Sequence, residues 1–367
     1  MDKETLSNYG WIVICVLVLS VMIALATPFG GYISTAVKST TQGLFDTNKN
    51  ALNSTGLINI GDQSFDDSAS APEIKREAGS VIPDGAKYTV KATNTVLEGN
   101  GTNKFPDTPA KDDTYEEGDY KYTYYDSNKW KVIAKDKTKT SYGVILSEIA
   151  GKPITNMYNT FENCTSLKTA PAIPNGVTIM WGTFYNCTSL TTAPAIPDSV
   201  TDISNTFQNC TSLTIAPKIP SSVTIMTYTF QACKSLTTAP VIPNSVTSMD
   251  NTFQCCTSLK TAPVIPNSVK HMTNTFQLCT SLTAAPKIPS SVTNMYNTFS
   301  YCTSLTTAPT IPNGVTDMRE TFFGCTALTG TIEINANPTK YDKCLKDTQI
   351  TAVTGSTTLK ARILATK

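Results

Sequence analysis

The sequence predicts a repeat solenoid of eight 23-residue coils with short parallel β ladders, preceded by a small β-rich cap and an N-terminal transmembrane helix. Three observations predict it. One unit, roughly V-T-x-M-x-x-T-F-x-x-C-T-S-L-x-x-A-P-x-I-P-x-S, recurs through residues 154–328 without a slip. Residues 10–33 contain no charge at all. Between these stretches, residues 86–140 are rich in tyrosine and β-branched residues in a partly alternating order.

The repeat is the strongest of the three. Phenylalanine stands at Phe161, Phe184, Phe207, Phe230, Phe253, Phe276, Phe299 and Phe322. A cysteine follows three residues later each time, and a leucine three after that, ending at Cys325 and Leu328. A fixed period of this size, with apolar residues at fixed places, marks a solenoid. One coil cannot bury its apolar side alone; stacking gives it two neighbours and a continuous core.

Composition narrows the function. Net charge is +1 and charged residues make up 16%, so no basic field predicts a nucleic-acid partner. One histidine, His271, leaves almost no material for histidine catalysis or histidine metal sites. Eight of the eleven cysteines belong to the repeat; the others are Cys15, Cys255 and Cys344. Side chains stacked in a parallel ladder point the same way, so disulfides would be strained and metal ligands would not converge. The ladder cysteines are therefore expected as small buried hydrophobes with a weak S–H donor. No metal, cofactor or catalytic residue is expected.

Residues 1–9 form a short polar head. Residues 10–33 are long enough to span a bilayer, with Trp11 and Tyr32 placed as interfacial aromatics. Ala24-Leu25-Ala26 has the form of a signal cleavage site, but the head has too little positive charge for one, and an uncleaved anchor is the favoured reading. That makes a single-pass membrane protein with residues 34–367 extracellular. Residues 34–60 keep a rough helical spacing and predict an amphipathic stalk, with Pro28 as a kink before it. Residues 61–85 are too polar to fold alone and read as a linker.

Residues 86–150 predict a small β-rich domain and N-terminal cap. Strands are expected at 88–92, 119–125 and 129–134, the last two joined through Asp126, Ser127 and Asn128. Trp130 is expected to anchor the sheet. Residues 141–150 predict a short helix capped by Ser141 and ended by Gly151 and Pro153. Residues 151–330 are the solenoid and 331–367 its C-terminal cap. In the cap, Thr339 is expected to cap a short helix, residues 350–353 to add a strand, and Thr357 or Thr358 to cap a last helix over 359–365.

Within the coil 200–222, Val200-Thr201-Asp202-Ile203 predicts a short strand. Ile203, Phe207, Cys210 and Leu213 are spaced as one face of a short helical turn. Thr206, like the Thr at this place in every coil, predicts a buried hydroxyl bonded to local backbone. Ala216 and Ile219 precede prolines and are held extended, while Pro217 cannot donate to a ladder. That arm predicts a broken or polyproline-like ladder.

The combination I-P-N-S-V-T-x-M followed by F-x-x-C-T-S-L resembles the BspA-like leucine-rich repeats of bacterial surface proteins. It covers all eight units. Two departures stand out: the 190–197 arm is one residue longer, with the extra Pro194, and the 180–184 arm is one shorter and lacks the usual Gly. The resemblance implies a leucine-rich-repeat-like fold, surface display and partner binding, often adhesion, with no catalytic residues.

Variable positions are the candidates for a ligand surface. The aromatic ones are Tyr158, Trp181, Tyr185, Tyr228, Tyr296, Tyr301 and Phe323. They point to an unknown extracellular protein or glycan as partner. The Asn163, Asn186 and Asn209 glycosylation sequons read as by-products of the repeat. A second reading is a structural surface fibre or pilin-like subunit whose function is self-association, because residues 10–60 are weakly similar to a pilin N-terminus.

Overall fold

The computed structural model describes residues 73–126 and 128–367. The expected head, membrane helix and stalk, most of the linker, and Ser127 of the hairpin turn lie outside the described residues. No helix among the described residues is long and apolar enough to cross a membrane.

The N-terminal cap is an eight-stranded sheet in the order β1-β7-β8-β6-β5-β4-β2-β3. Its strands are β1 (Lys75–Arg76), β2 (Lys87–Val90), β3 (Thr95–Glu98), β4 (Thr114–Glu117), β5 (Tyr120–Asp126), β6 (Lys129–Ala134), β7 (Glu148–Ile149) and β8 (Lys152–Asn156). Strand β1 pairs with β7, and Val81 forms an isolated bridge with Lys104, so the stretch 73–85, expected as the end of a linker, makes backbone contacts with the cap. The alternating tyrosines of β4 and β5 pack across strands: Tyr115 and Tyr122 are buried with ring centroids 6.0 Å apart. Trp130 is fully buried and donates from Nε1 to the Ile149 carbonyl at 3.0 Å.

The expected helix over 141–150 does not form. Its backbone donors are taken by tertiary acceptors. Gly143 N–H bonds Asp119 Oδ2, Leu146 N–H bonds the Tyr122 hydroxyl, and Ser147 N–H bonds the Ile74 carbonyl. Local capping by Ser141 offered less than these bonds to a preformed sheet.

Strand β6 lies against the first coil of the solenoid. It pairs in parallel with β8, and β8 contains Ile154, Thr155 and Asn156 of the first coil. Coil 1 spans 154–176 and each later coil follows 23 residues on. Single-residue parallel bridges then run Asn156–Ile179–Asp202–Ile225–Ser248–His271–Asn294–Asp317–Lys340. A second set runs from Thr169 through Thr192 and Ile215 to Thr307 on the proline arm. Two prolines per coil keep that ladder one residue wide, as their missing N–H groups dictate.

The stretch between the two ladders is not a helical turn. Thr206 N–H bonds the Ile203 carbonyl, Gln208 that of Asn205, and Cys210 that of Phe207. The alternate donors leave the coil: Asn205 N–H reaches Thr227, Phe207 reaches Thr229 and Asn209 reaches Gln231. This alternation needs left-handed residues, and Asn205 and Asn209 have φ of 56° and 61°. Asparagine tolerates that conformation better than other side chains, glycine excepted. Six of the eight coils carry Asn at one or both of these places, which explains the sequon-like Asn163, Asn186 and Asn209. The 4-3-3 spacing found the inward face but not the backbone path.

All eight repeat Phe, Cys and Leu residues are fully buried. The Phe rings stack with centroids 5.3–5.7 Å apart and planes within 7° of parallel. Tyr142 and Tyr120 close the row edge-on against Phe161. The buried Thr hydroxyls reach backwards: Thr229 Oγ1 donates toward the Ile203 carbonyl of the preceding coil (3.1 Å) and toward Met226 in its own (2.7 Å). In coil 1 the preceding coil is β6, and Thr160 donates to Val132 at 2.8 Å.

The repeat continues past the last Phe. Phe322 N–H bonds the Cys344 carbonyl, as Phe207 bonds Thr229, so Leu345 and not Cys344 stands at the Phe position of a ninth, irregular coil. Residues 342–347 are turns, and no helix follows Thr339. Strands β9 (Thr329–Glu333) and β10 (Gln349–Thr354) pair in parallel. Helix α1 (Lys360–Leu364) closes the end with Ile363 buried. Its N-cap is Leu359, whose N–H bonds Thr357 Oγ1, so Thr357 supports the helix from two residues before the cap.

Candidate binding surface

Two outward columns border the first ladder. One follows the core Met: Tyr158, Trp181, Ser204, Thr227, Asp250, Thr273, Tyr296 and Arg319. The other follows the Phe: Glu162, Tyr185, Gln208, Gln231, Gln254, Gln277, Ser300 and Phe323. Because coils repeat without slip, residues of one column fall side by side.

The seven aromatic candidates do not gather into one site. At the N-terminal end, Tyr158 and Trp181 stack with centroids 4.8 Å apart and planes 8° from parallel. Lys131 of β6 covers the Tyr158 ring, its Nζ 4.9 Å from the centroid, and burial lowers its pKa. Tyr185 is half-buried one column away. At the C-terminal end, Arg319 lies 4.8 Å from the Tyr296 ring and is itself held by Asp317 through Nε (3.0 Å) and Nη2 (2.7 Å). Burial pushes the Asp317 pKa up, but these bonds outweigh it and hold the carboxyl below its usual range. Tyr301 and Phe323 meet edge-on at 5.1 Å, with Lys346 near the Phe323 ring. Tyr228 stands apart in coil 4, in a left-handed position with φ 60°.

Between the two ends the columns are polar. Gln208, Gln231, Gln254 and Gln277 form an unbroken side-chain ladder, each Nε2 of the first three donating to the next Oε1. These amides bond one another along the axis, which fixes their rotamers and leaves them little freedom to greet a ligand.

The N-terminal pair is the better built of the two clusters. In coil 3 the same column holds Ser204, a small and nearly buried residue. No ring stands against the Trp181 face turned away from Tyr158 among the described residues. A flat apolar platform with polar neighbours is how ring-shaped polar ligands are gripped. The sequence marked both aromatics but not Lys131, because that residue lies outside the repeat and reaches Tyr158 only through the β6–β8 pairing.

The thiols and the histidine offer less. Burial pushes the ladder thiols up, Cys325 to about 12, and it also pushes Cys344 to about 11. All the described cysteines are free, and Cys255 alone among them is half-exposed. His271 occupies an exposed rung between Ser248 and Asn294. Among the described residues no three His, Cys, Asp or Glu side chains converge as a metal requires.

A different surface escaped the sequence reading. On the proline arm, Ile215 is 71% exposed and Val241 and Val264 are each 87% exposed. For the two valines the signal lies in the sequence, since the x of A-P-x-I-P faces outward in coils 1 to 7.

Three solved leucine-rich repeat proteins are similar to the chain. One from Bacteroides ovatus has a TM-score of 0.48 at 18% identity, over 66% of this chain and 80% of that one. The leucine-rich repeat protein of T. pallidum gives 0.38 at 24%, over 57% and 88%. A leucine-rich cell surface protein from Faecalibacterium prausnitzii gives 0.36 at 18%, over 69% and 97%. No curated protein matches the chain. The family model rests on firmer ground, because it matches residues 154–260 and 249–361, more than half of the chain. The coils, their inward Phe, Cys and Leu rows and that match together place the chain in the BspA type leucine-rich repeat family.

Proposed function

We propose that this protein is a membrane-anchored bacterial surface protein that displays its solenoid to bind an extracellular partner, without catalysis. The observation that carries the binding reading is the partly exposed Tyr158–Trp181 stack, with Lys131 over the Tyr158 ring. Buried aromatic residues would add only core; this pair is placed where a ligand can reach it. A glycan ring suits the Trp181 platform. A protein loop presenting a flat or aromatic side chain is the other form such a partner takes.

The anchor reading rests on the uncharged residues 10–33. It leaves residues 34–367 outside the membrane. Membership of a repeat family whose units serve as interaction surfaces supports a non-catalytic role.

The test is a glycan and extracellular-matrix array probed with the full chain, repeated with Trp181→Ala and Tyr158→Ala. A ligand lost in both variants, with the fold retained by circular dichroism, supports the reading. A ligand bound equally well by both variants places the site elsewhere. Cell fractionation tests the anchor: the full chain is expected with membranes, and its recovery in a soluble fraction with an intact N-terminus would end that part of the proposal.

A further inference from the structure

Asn-Gly occurs three times in the sequence, at Asn100-Gly101, Asn175-Gly176 and Asn313-Gly314. A glycine after an asparagine has no Cβ to shield its backbone nitrogen, so that nitrogen can approach the side-chain amide carbon beside it. The three pairs differ in what surrounds them.

Asn100-Gly101 stands at the tip of the loop between β3 and β4, and Asn100, Gly101 and Thr102 are all exposed. The base of the loop is fixed. Gly99 N–H bonds the Ala86 carbonyl, Ile82 N–H bonds the Asn103 carbonyl and Asn103 Nδ2 donates to the Glu98 carbonyl, each at 2.8 Å. At the tip, Asn100 Oδ1 accepts three hydrogen bonds: from Thr102 N–H at 3.0 Å, from Thr102 Oγ1 at 2.8 Å and from Asn103 N–H at 3.0 Å. Gly101 N–H and Asn100 Nδ2 engage no partner among the described residues. A Cβ added at Gly101 would meet no atom within 4 Å, so nothing crowds this peptide.

The three donors surround the oxygen on which negative charge develops when a nucleophile adds to the Asn100 amide carbon. They draw electron density from that carbon and stabilise the tetrahedral oxyanion. The unengaged Gly101 nitrogen, next in the chain, closes a small imide ring when it attacks. We propose that Asn100-Gly101 is a self-modifying site that converts to aspartate and isoaspartate, with water as the only co-reactant. The Gly101 nitrogen loses its proton and bonds Asn100 Cγ. The Cγ–Nδ2 bond breaks, and Nδ2 leaves with that proton as ammonia. Water then opens the imide at one of the two bonds to the Gly101 nitrogen. Opening at Cγ leaves aspartate in an unchanged backbone. Opening at the Asn100 backbone carbonyl carbon leaves isoaspartate, with the chain running through Cγ. No atom is oxidised or reduced. Either product adds one negative charge to a chain of formal net charge +1.

The other two pairs lack this arrangement. Val177 N–H bonds the Pro174 carbonyl at 3.1 Å and Val315 N–H the Pro312 carbonyl at 3.3 Å, which closes a tight turn around each Asn-Gly within the stacked coils. No donor reaches Asn175 Oδ1 or Asn313 Oδ1 among the described residues. Their turns must open before a ring can close.

The site shares no residue with the Tyr158–Trp181 stack, so each reading can fail without the other. The experiment incubates the full chain in non-ionic detergent at mildly alkaline pH. Tryptic peptides are followed by mass spectrometry with electron-transfer fragmentation, which separates isoaspartate from aspartate. The peptide 92–104 is expected to convert at Asn100 before either coil pair changes, with Asn94 and Asn103 of the same peptide intact. Thr102→Val removes one of the three donors and should slow conversion roughly threefold to tenfold, the scale of one hydrogen bond. Thr102→Ser keeps the hydroxyl and should convert like wild type. A synthetic peptide of residues 92–104, in which nothing holds Oδ1, should convert no faster than the folded loop. Conversion at Asn175 or Asn313 first, a Thr102→Val variant as fast as wild type, or a free peptide faster than the folded chain would each overturn the proposal.

Discussion

The Sγ of Cys210 lies 3.2 Å from the carbonyl oxygen of Phe184, one coil back. The same bond recurs from Cys187 to Cys325, each thiol donating to the Phe carbonyl of the preceding coil. The thiol is thus a small core residue that also gives a buried carbonyl a second donor, beside the backbone N–H of Cys187. Alanine would remove the second donor from that carbonyl, which also accepts from Cys187 N–H at 3.1 Å, and valine would crowd the ladder.

Reactivity depends on thiolate, which burial disfavours. Maleimide applied to the native full chain under reducing conditions should label Cys255 ahead of the ladder, and Cys344 only slowly, since it is buried beside Thr366. The ladder should label after denaturation. Mass spectrometry of tryptic peptides reads the order, and early labelling of Cys210 or Cys233 would mean the ladder opens in the native state.

The same burial predicts alkaline instability. Ladder thiols have native pKa values raised above the ordinary value, chiefly by desolvation. Unfolded, they ionise from about pH 8.5 upward. Above that point the unfolded state binds fewer protons than the native one, so stability falls as pH rises, by about 1.4 kcal/mol per pH unit for each thiol. The loss continues until the native pKa is reached, and below the unfolded pKa the penalty is absent. Urea midpoints under reductant should be level from about pH 7 to 8 and drop steeply by about pH 10. Cys210→Ala with Cys233→Ala should flatten the drop; a midpoint unchanged across that range would contradict the reading.

Phe230 stacks between Phe207 and Phe253 with centroids 5.7 Å from each. Phe230→Ala removes a buried ring from the middle of a row and should cost about 3–5 kcal/mol. Chemical denaturation checks this. A loss below about 1 kcal/mol would mean neighbouring rings slide to fill the gap.

Thr229 separates hydroxyl from methyl effects. Thr229→Val keeps the shape and removes one hydroxyl donor from the Ile203 and Met226 carbonyls, which still accept from the Thr206 and Thr229 N–H groups, and should cost about 0.5–1.5 kcal/mol. Thr229→Ser keeps the donor and should cost less than the valine change. Equal losses would assign the role of this residue to packing alone.

Much of this molecule was legible in the sequence because a repeat states its own inward face. The Phe, Cys and Leu rows, the broken proline ladder, the buried Thr hydroxyl and the strands of residues 119–134 all follow from spacing and side-chain type. Which side chains turn inward follows from one coil's residues, although the Thr206 hydroxyl, expected to bond local backbone, bonds the Met180 carbonyl of the preceding coil. The left-handed Asn205 and Asn209, the fate of residues 141–150, the ninth coil at Leu345 and the Lys131 cover on Tyr158 were decided only by tertiary structure. Each depends on where a neighbouring segment offers an acceptor, a donor or a free face. A backbone N–H that can bond within its coil or across to the next takes whichever partner stacking supplies, and no local pattern records that choice.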